Sequence, residues 1–314
     1  MSRSKKSEKL VSIIIPTYGG SNSLIKAIDS ALNQSYSNIE VVVVDDNATN
    51  SIGRKNTELI MNKYNCNNKV KYIKHNENKN GSAARNTGVI NSNGYYISFL
   101  DDDDYFFEDK IEKQVALLQK KNADFCVCFY IKNGVKYCFE VKDDYIDSVL
   151  LLKNTPQTSS FVMTRNLYNK INGFDESYSR HQDYEFLIRI CLNTKVICIN
   201  EFLYERVGNS IENRPNANKM KLIKDKLLRD FDYIFNKRNI NKKKVYAKNY
   251  SYVFYLYIRE KNIKKAILLM KDYFSVRFIL YFVLLTFSNV NKKINFILNK
   301  GVLFKNINSN RGEL

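Results

Sequence analysis

The feature that most constrains this chain is a set of short apolar runs separated by helical patterns. Val11–Ile15 and Ile39–Val44 are nearly continuous β-branched runs, and each reads as a buried strand. Val70–Lys74 and Tyr95–Leu100 read as a third and a fourth strand. Between the first two, Leu24, Ile28, Ala31 and Leu32 recur at helical spacing, and Ser21 or Asn22 is placed to cap that helix. Further helices are expected near Lys55–Tyr64 and Ala83–Asn91. Strand and helix alternating in this way predict an α/β fold, with a mostly parallel sheet flanked by helices on both faces. Ligands of such sheets sit beyond the carboxyl ends of the strands. Two of the runs end there in acidic clusters, Asp45-Asp46-Asn47 and Asp101–Asp104.

After Asp104 the pattern is less regular. Phe125–Tyr130, Ser159–Met163 and Lys195–Asn200 look like strands, and Asp183–Leu192 like a helix. From about Asn218 the chain turns helical. Met220, Ile223, Leu227, Phe231 and Ile234 mark one amphipathic helix, and Tyr250–Arg259 and Ile263–Tyr273 suggest others. The division expected is an α/β domain over 1–214 and a basic helical region over 215–314, both within reach of a 314-residue chain. Charge supports it. Residues 215–314 carry 22 Lys and Arg against 6 Asp and Glu, a net of +16 out of +18 for the whole chain. That asymmetry points to an anionic partner for the second region, an acidic membrane surface or a nucleic acid. Phe278–Phe287 is almost wholly apolar but about half the ~20 residues needed to span a bilayer. Six irregularly spaced cysteines and two histidines fit no zinc pattern. The polar, basic start and the free thiols predict a cytoplasmic protein.

Four groups of residues could carry chemistry. Asp101–Asp104 could coordinate a hard cation through oxygen, or simply form an acidic turn before the helix that begins near Glu108. Asp46 could accept a hydrogen bond from a nucleobase, or Asp45-Asp46-Asn47 could be an Asx turn. The small residues of Asn80–Asn86 allow phosphate to approach a helix N-terminus, or allow that helix to pack tightly on the sheet. Asp183 could act as a proton acceptor or as a plain helix cap.

In order and spacing, these segments resemble the inverting glycosyltransferases of family 2, with the GT-A fold. The resemblance rests on Val-Ser-Ile-Ile-Ile-Pro-Thr-Tyr at 11–18, Ile-Asp-Ser-Ala-Leu-Asn-Gln-Ser-Tyr at 28–36 and Glu-Val-Val-Val-Val-Asp-Asp-Asn at 40–47. Gly-Ser-Ala-Ala-Arg-Asn-Thr-Gly at 81–88, Phe-Leu-Asp-Asp-Asp-Asp at 99–104, and Gly-Phe-Asp-Glu at 173–176 with Gln-Asp at 182–183 complete it. It covers residues 11 to about 210.

The resemblance implies a donor site made by Pro16, Thr17, Tyr18, Asp46, Arg85, Asp101 and Asp102. Thr17 and Tyr18 would line the base, and Asp46 would bind uracil. Asp101 and Asp103 match the two acids of the Asp-x-Asp motif, with Asp103 on Mn²⁺ or Mg²⁺ and Asp102 able to replace either acid. Asp183 matches the general base, preceded here by Gln182 where the family usually has Glu. Arg206, Asn209 and Ser210 fall where the family often has a mobile loop near the pyrophosphate.

The implied partners are a UDP-sugar and a saccharide acceptor, lipid-linked if the chain sits on the inner face of a bacterial membrane. The basic region, with Lys242-Lys243-Lys244, Lys264-Lys265 and Lys292-Lys293 beside Tyr250, Tyr252, Phe254 and Tyr255, suits such an anionic surface. It equally suits a packed helical domain with a solvated basic face, or a surface for a homo-oligomer. No named nucleic-acid module is present. Two rival readings are a nucleotidyltransferase, disfavoured because Thr17-Tyr18-Gly19-Gly20 has no lysine before Lys26, and a non-catalytic sugar-nucleotide binder or scaffold, disfavoured by Asp46, Asp103 and Asp183 occurring together.

Overall fold

The computed structural model describes residues 8–142, 145–152, 155–207 and 215–287. The chain divides into two compact units, Met1–Glu212 and Asn213–Leu314.

The first unit opens with β1 (Val11–Thr17), α1 (Ser23–Leu32), β2 (Ile39–Asp45), α2 (Ile52–Met61), β3 (Val70–Lys74), α3 (Gly81–Ile90) and β4 (Tyr96–Phe99). There follow β5 (Asp104–Phe106), α4 (Lys110–Lys121), β6 (Phe125–Lys132), β7 (Val135–Tyr137) and α5 (Tyr145–Leu150). The unit closes with β8 (Val162–Thr164), α6 (Arg165–Lys170), α7 (Gln182–Asn193) and β9 (Ile197–Arg206). Among the described residues the strands form one sheet in the order β3-β2-β1-β4-β8-β6-β9-β5, with β7 on β6. β1 pairs in parallel with β2 and β4, β2 with β3, and β6 with β9. The remaining pairs are antiparallel, so the expected parallel frame is the first half of a mixed sheet. Central β1 is covered on both faces, as parallel strands require: Val11, Ile13, Ile14 and Ile15 are fully buried.

The helices pack by side-chain shape. Gly88 of α3 lies against β1, and a Cβ there would come within 2.3 Å of Ile14 Cγ2. Gly88 therefore serves tight helix–sheet packing, whereas Gly81 lies against site residues, a Cβ there meeting Arg85 Nη1 at 3.0 Å and Gln182 Oε1 at 3.2 Å. The amino end of α3 is closed by Asn80, which holds a positive φ of 81° and accepts hydrogen bonds from the Ser82 and Ala83 amides.

Three expectations change. Ser159–Met163 is not a continuous strand: Thr158–Ser160 is a 3-10 turn and only Val162–Thr164 joins the sheet. Ser160 Oγ donates to the Gln157 carbonyl at 2.6 Å, a local bond that competes with a ladder. The acidic run is not all loop, because Asp104 begins β5 and pairs with Arg206 of β9. Arg206 itself therefore ends a strand and does not lie in a loop.

The second unit contains α8 (Ala217–Asp230), α9 (Asp232–Lys237), α10 (Lys242–Arg259) and α11 (Ile263–Tyr273), then a helix over 276–287. Phe231 interrupts the single helix expected across 220–234. The unit has its own core, which includes Leu227, Leu228, Val253, Leu256 and Leu269. Tyr250 belongs to that core and is not available to a membrane surface. It is 2% exposed, donates to Asp225 Oδ1 at 2.5 Å and stacks on Tyr273 with ring centroids 3.9 Å apart. Phe254 packs edge-on against Phe278 and Phe282. Lys292 and Lys293 lie outside the described residues.

Candidate functional site

Parallel β1, β2 and β4 bring their carboxyl ends to one edge of the sheet. Chain order reverses between β1 and β4, since β2 and β3 lie to one side of β1 and β4 to the other. That crevice is where a sheet of this kind exposes ligand-binding groups. Across it Thr17 Oγ1 donates to Asp102 Oδ2 at 2.6 Å, and the Tyr18 amide approaches the same oxygen at 3.4 Å. Pro16 and Thr17 are the last two residues of β1, in register with Val44 and Asp45, and Tyr18 projects with 64% of its surface exposed.

The four consecutive acids have four different surroundings. Asp101 receives a hydrogen bond from Arg85 Nη2 at 2.6 Å, while its amide donates to Ser159 Oγ at 3.1 Å. Asp102 faces Thr17, and burial pushes its pKa up to about 6. Asp103 is the exposed member. Loss of hydration and then the charge of Asp101 raise its pKa, while Arg206 pulls the other way. Asp104 is buried, accepts from Ser159 Oγ at 2.7 Å and from the Val207 amide at 3.3 Å, and is raised by desolvation and by Asp101 and Asp103. Burial lowers the pKa of Arg206, but Asp104 and Asp101 outweigh it and leave the guanidinium more firmly protonated.

Among the described residues no group of three or more His, Cys, Asp or Glu forms a ready-made metal cage. The donor set nevertheless suits a hard divalent ion that takes its other ligands from phosphate and water. Ionisation of Asp103 is disfavoured first by loss of hydration and then by the charge of Asp101, and a cation would offset both.

Asp45 and Asp46 differ in the same way. Asp45 is fully buried and spends its oxygens on Tyr72, on the Asn47 amide and side chain, and on Arg54 at 3.4 Å. Asp46 is 3% exposed and accepts from His75 Nδ1 and the Lys79 amide, both at 2.8 Å, and from Asn78 Nδ2 at 3.0 Å. A carboxylate has about four acceptor positions, which leaves room for one further donor. His75 completes a relay by meeting Thr87 Oγ1 at 2.9 Å through Nε2.

α3 and α7 bring the other groups. Arg85 Nη1 donates to Gln182 Oε1 at 3.1 Å while Nη2 holds Asp101, so one guanidinium joins the acidic turn to the start of α7. His181 enters that helix with a left-handed φ of 60°. Asp183 follows in the first turn, where burial raises its pKa against the opposing influence of backbone amides and Arg85. Thr17, Tyr18, Arg85, Asp101, Asp102, Asp103, Asp183 and Arg206 are thus linked by contact or by charge. Asp46 sits at the next strand end, its amide donating to the Thr17 carbonyl at 2.9 Å. Asn209 and Ser210 lie outside the described residues.

Sequence reasoning missed His75 and Ser159. His75 carried a readable signal, since it follows the third strand directly at the same sheet edge as Asp46. Ser159 carried none, because its partners lie 58 and 55 residues away. A cavity of about 600 Å³ lined by Leu117, Phe129, Phe139 and Cys198 shares no residue with this site.

Residues 12–170 match the profile of glycosyl transferase family 2. The chain is 37% identical over 188 residues to a glycosyltransferase of Rickettsia prowazekii (strain Madrid E), covering 56% of this chain and 57% of that one. It is 30% identical over 194 residues to the amylovoran biosynthesis glycosyltransferase AmsB of Erwinia amylovora, covering 57% and 62%. The matches span from 21% to 62% of the length of the first five curated relatives. The crystal structure of S. aureus TarS 1-349 in complex with UDP-GlcNAc aligns with a TM-score of 0.56 at 17% identity, covering 84% of this chain and 91% of that one, a likeness of fold.

Proposed function

Because the chain belongs to glycosyl transferase family 2, matched over half its length, we propose that it transfers a sugar from a UDP-sugar to a hydroxyl of a saccharide acceptor, inverting the anomeric configuration. Its first unit has the GT-A-like fold of that family. The observation that carries the reading is Arg85, which ties Asp101 beside the β1–β4 crevice to the helix bearing Asp183. Such a tie would hold a donor-binding edge and a proton acceptor at a fixed separation. The TarS complex with UDP-GlcNAc supports a UDP-sugar as donor, and AmsB supports a place in bacterial surface polysaccharide assembly. A lipid-linked saccharide on the inner face of the cell membrane is the acceptor this reading favours.

In the proposed reaction Asp183 takes the proton from the acceptor hydroxyl. The acceptor oxygen forms a bond to the anomeric carbon as the bond from that carbon to the diphosphate oxygen breaks, and UDP leaves. Thr17 and Tyr18 orient the base, and Asp46 offers its remaining acceptor position to a uracil N–H. Arg206, drawn toward the acidic turn by Asp104 and Asp101, faces the negative charge of the diphosphate. Asp103, with Asp101 or Asp102 beside it, would hold Mn²⁺ or Mg²⁺, which when bound supplies neutralisation of the leaving diphosphate.

The test is UDP release from a panel of UDP-sugars with polysaccharide-derived acceptors, and product configuration by NMR. Asp183→Asn should lower turnover about 100-fold or more with folding intact. Near-normal turnover in that variant, or a product that keeps the donor's configuration, contradicts the scheme.

A further inference from the structure

The helix over 276–287 is apolar on both sides. Its inner face is closed by Phe278, 1% exposed, and by Phe282, both packed on Phe254. Its outer face is a second stripe at helical spacing: Val276, Ile279, Leu280, Val283, Leu284 and Phe287. All six are exposed, Val276 at 83% and Phe287 at 65%. α11 behaves similarly, burying Ala266 and Leu269 and exposing Ile267 and Leu268. A helix that is apolar all round is stable only when its second face is also removed from water.

Charge selects what covers it. Between 261 and 287 the chain carries Lys261, Lys264, Lys265, Lys271 and Arg277 against Asp272 alone. Lys264, Lys265 and Arg277 are exposed. An exposed apolar stripe in a segment with five cations and one anion fits the boundary of an anionic lipid surface, where acyl chains take the stripe and headgroups take the exposed cations. A second copy of the chain would set like-charged flanks against each other. The twelve described residues of this helix cover about 18 Å, against the ~30 Å hydrocarbon core. Among the described residues no helix is long and apolar enough to cross a membrane.

We propose that residues 263–287 form an in-plane anchor whose 276–287 helix lies at the surface of an anionic bilayer, Leu280 and Leu284 downward. The anchor would hold the chain at the membrane that carries the proposed acceptor, and it does not depend on the donor assignment.

The test is co-sedimentation of the full chain with phosphatidylcholine vesicles and with vesicles rich in phosphatidylglycerol. The wild type should pellet with the anionic vesicles, less so as salt rises. Leu280→Asp/Leu284→Asp should weaken that binding by at least about tenfold, with circular dichroism and melting temperature unchanged. Lys264→Glu/Lys265→Glu leaves the apolar stripe intact and should lose only the preference for anionic lipid. Absence of lipid-dependent pelleting by the wild type overturns the proposal. So does binding indifferent to both variants, or a wild-type dimer in solution that the Leu280→Asp/Leu284→Asp variant converts to monomer.

Discussion

The guanidinium of Arg85 meets the carboxylate of Asp101 at 2.6 Å, and this ion pair is the joint between the acidic turn and α7, because Gln182 is held by the other terminal nitrogen at 3.1 Å. Only a planar fork can serve both partners at once. Lysine at this position keeps the charge and loses the second contact. Arg85→Lys is therefore expected to lower kcat/KM about 10- to 100-fold while moving the melting temperature little. Unchanged kinetics would remove Arg85 from the machinery.

Gln182 stands where the family usually has glutamate. Gln182→Glu would place a carboxylate against Arg85 Nη1 but lose the donation from Gln182 Nε2 to the Tyr178 carbonyl at 2.9 Å, so thermal unfolding should change by no more than about 0.5 kcal/mol. The added negative charge next to Asp183 should raise the Asp183 pKa further. The acidic limb of the pH–rate profile should then move to higher pH.

Asp102 has a folded pKa raised to about 6 from an ordinary value of 3.8. The folded state therefore binds the proton more tightly than the unfolded chain. The stability this contributes is complete below pH 3.8 and is lost as pH rises through about 6. Asp102→Asn, which can still accept from Thr17, should be more stable than wild type at pH 7, and the gap should close by pH 4 in denaturant titrations.

Lys110 is fully buried, with its ammonium 3.9 Å from the Phe106 ring centroid and 3.4 Å from Ser98 Oγ. Desolvation lowers its pKa from 10.5 to about 8. Between those values the unfolded chain keeps a proton that the folded chain has released. Stability from this group is thus gained as pH rises from about 8 to 10.5 and is lost as pH falls through about 8. Lys110→Met should raise the melting temperature at pH 7 by about 4 °C and remove that part of the alkaline gain. A lower melting temperature at pH 7 would show that the ring and hydroxyl contacts outweigh desolvation.

Much of this site was legible because its parallel strands announce themselves locally. Val11–Ile15 and Ile39–Val44 are apolar throughout most of their length, and the acids that follow them fall at the sheet edge by topology alone. What escaped is non-local or dual-purpose. β5 is three residues beginning with aspartate, and its partner on β9 lies about a hundred residues on, so no pattern in Asp104-Tyr105-Phe106 reveals it. Gly88, just past Asn80–Asn86, packs on β1, which only its distance to Ile14 reveals. Tyr250 carries the same composition signal whether it faces lipid or Tyr273, and only its burial separates the two.

The β1–β4 crevice is expected to bind a nucleoside diphosphate through a metal on Asp103. Calorimetry of the full chain against UDP, with Mn²⁺ and then with EDTA, in wild type and in Asp103→Ala, tests it most directly. UDP binding should need the metal and be abolished by the substitution. UDP binding indifferent to EDTA and to Asp103→Ala, or none at all by folded wild-type protein, would contradict it.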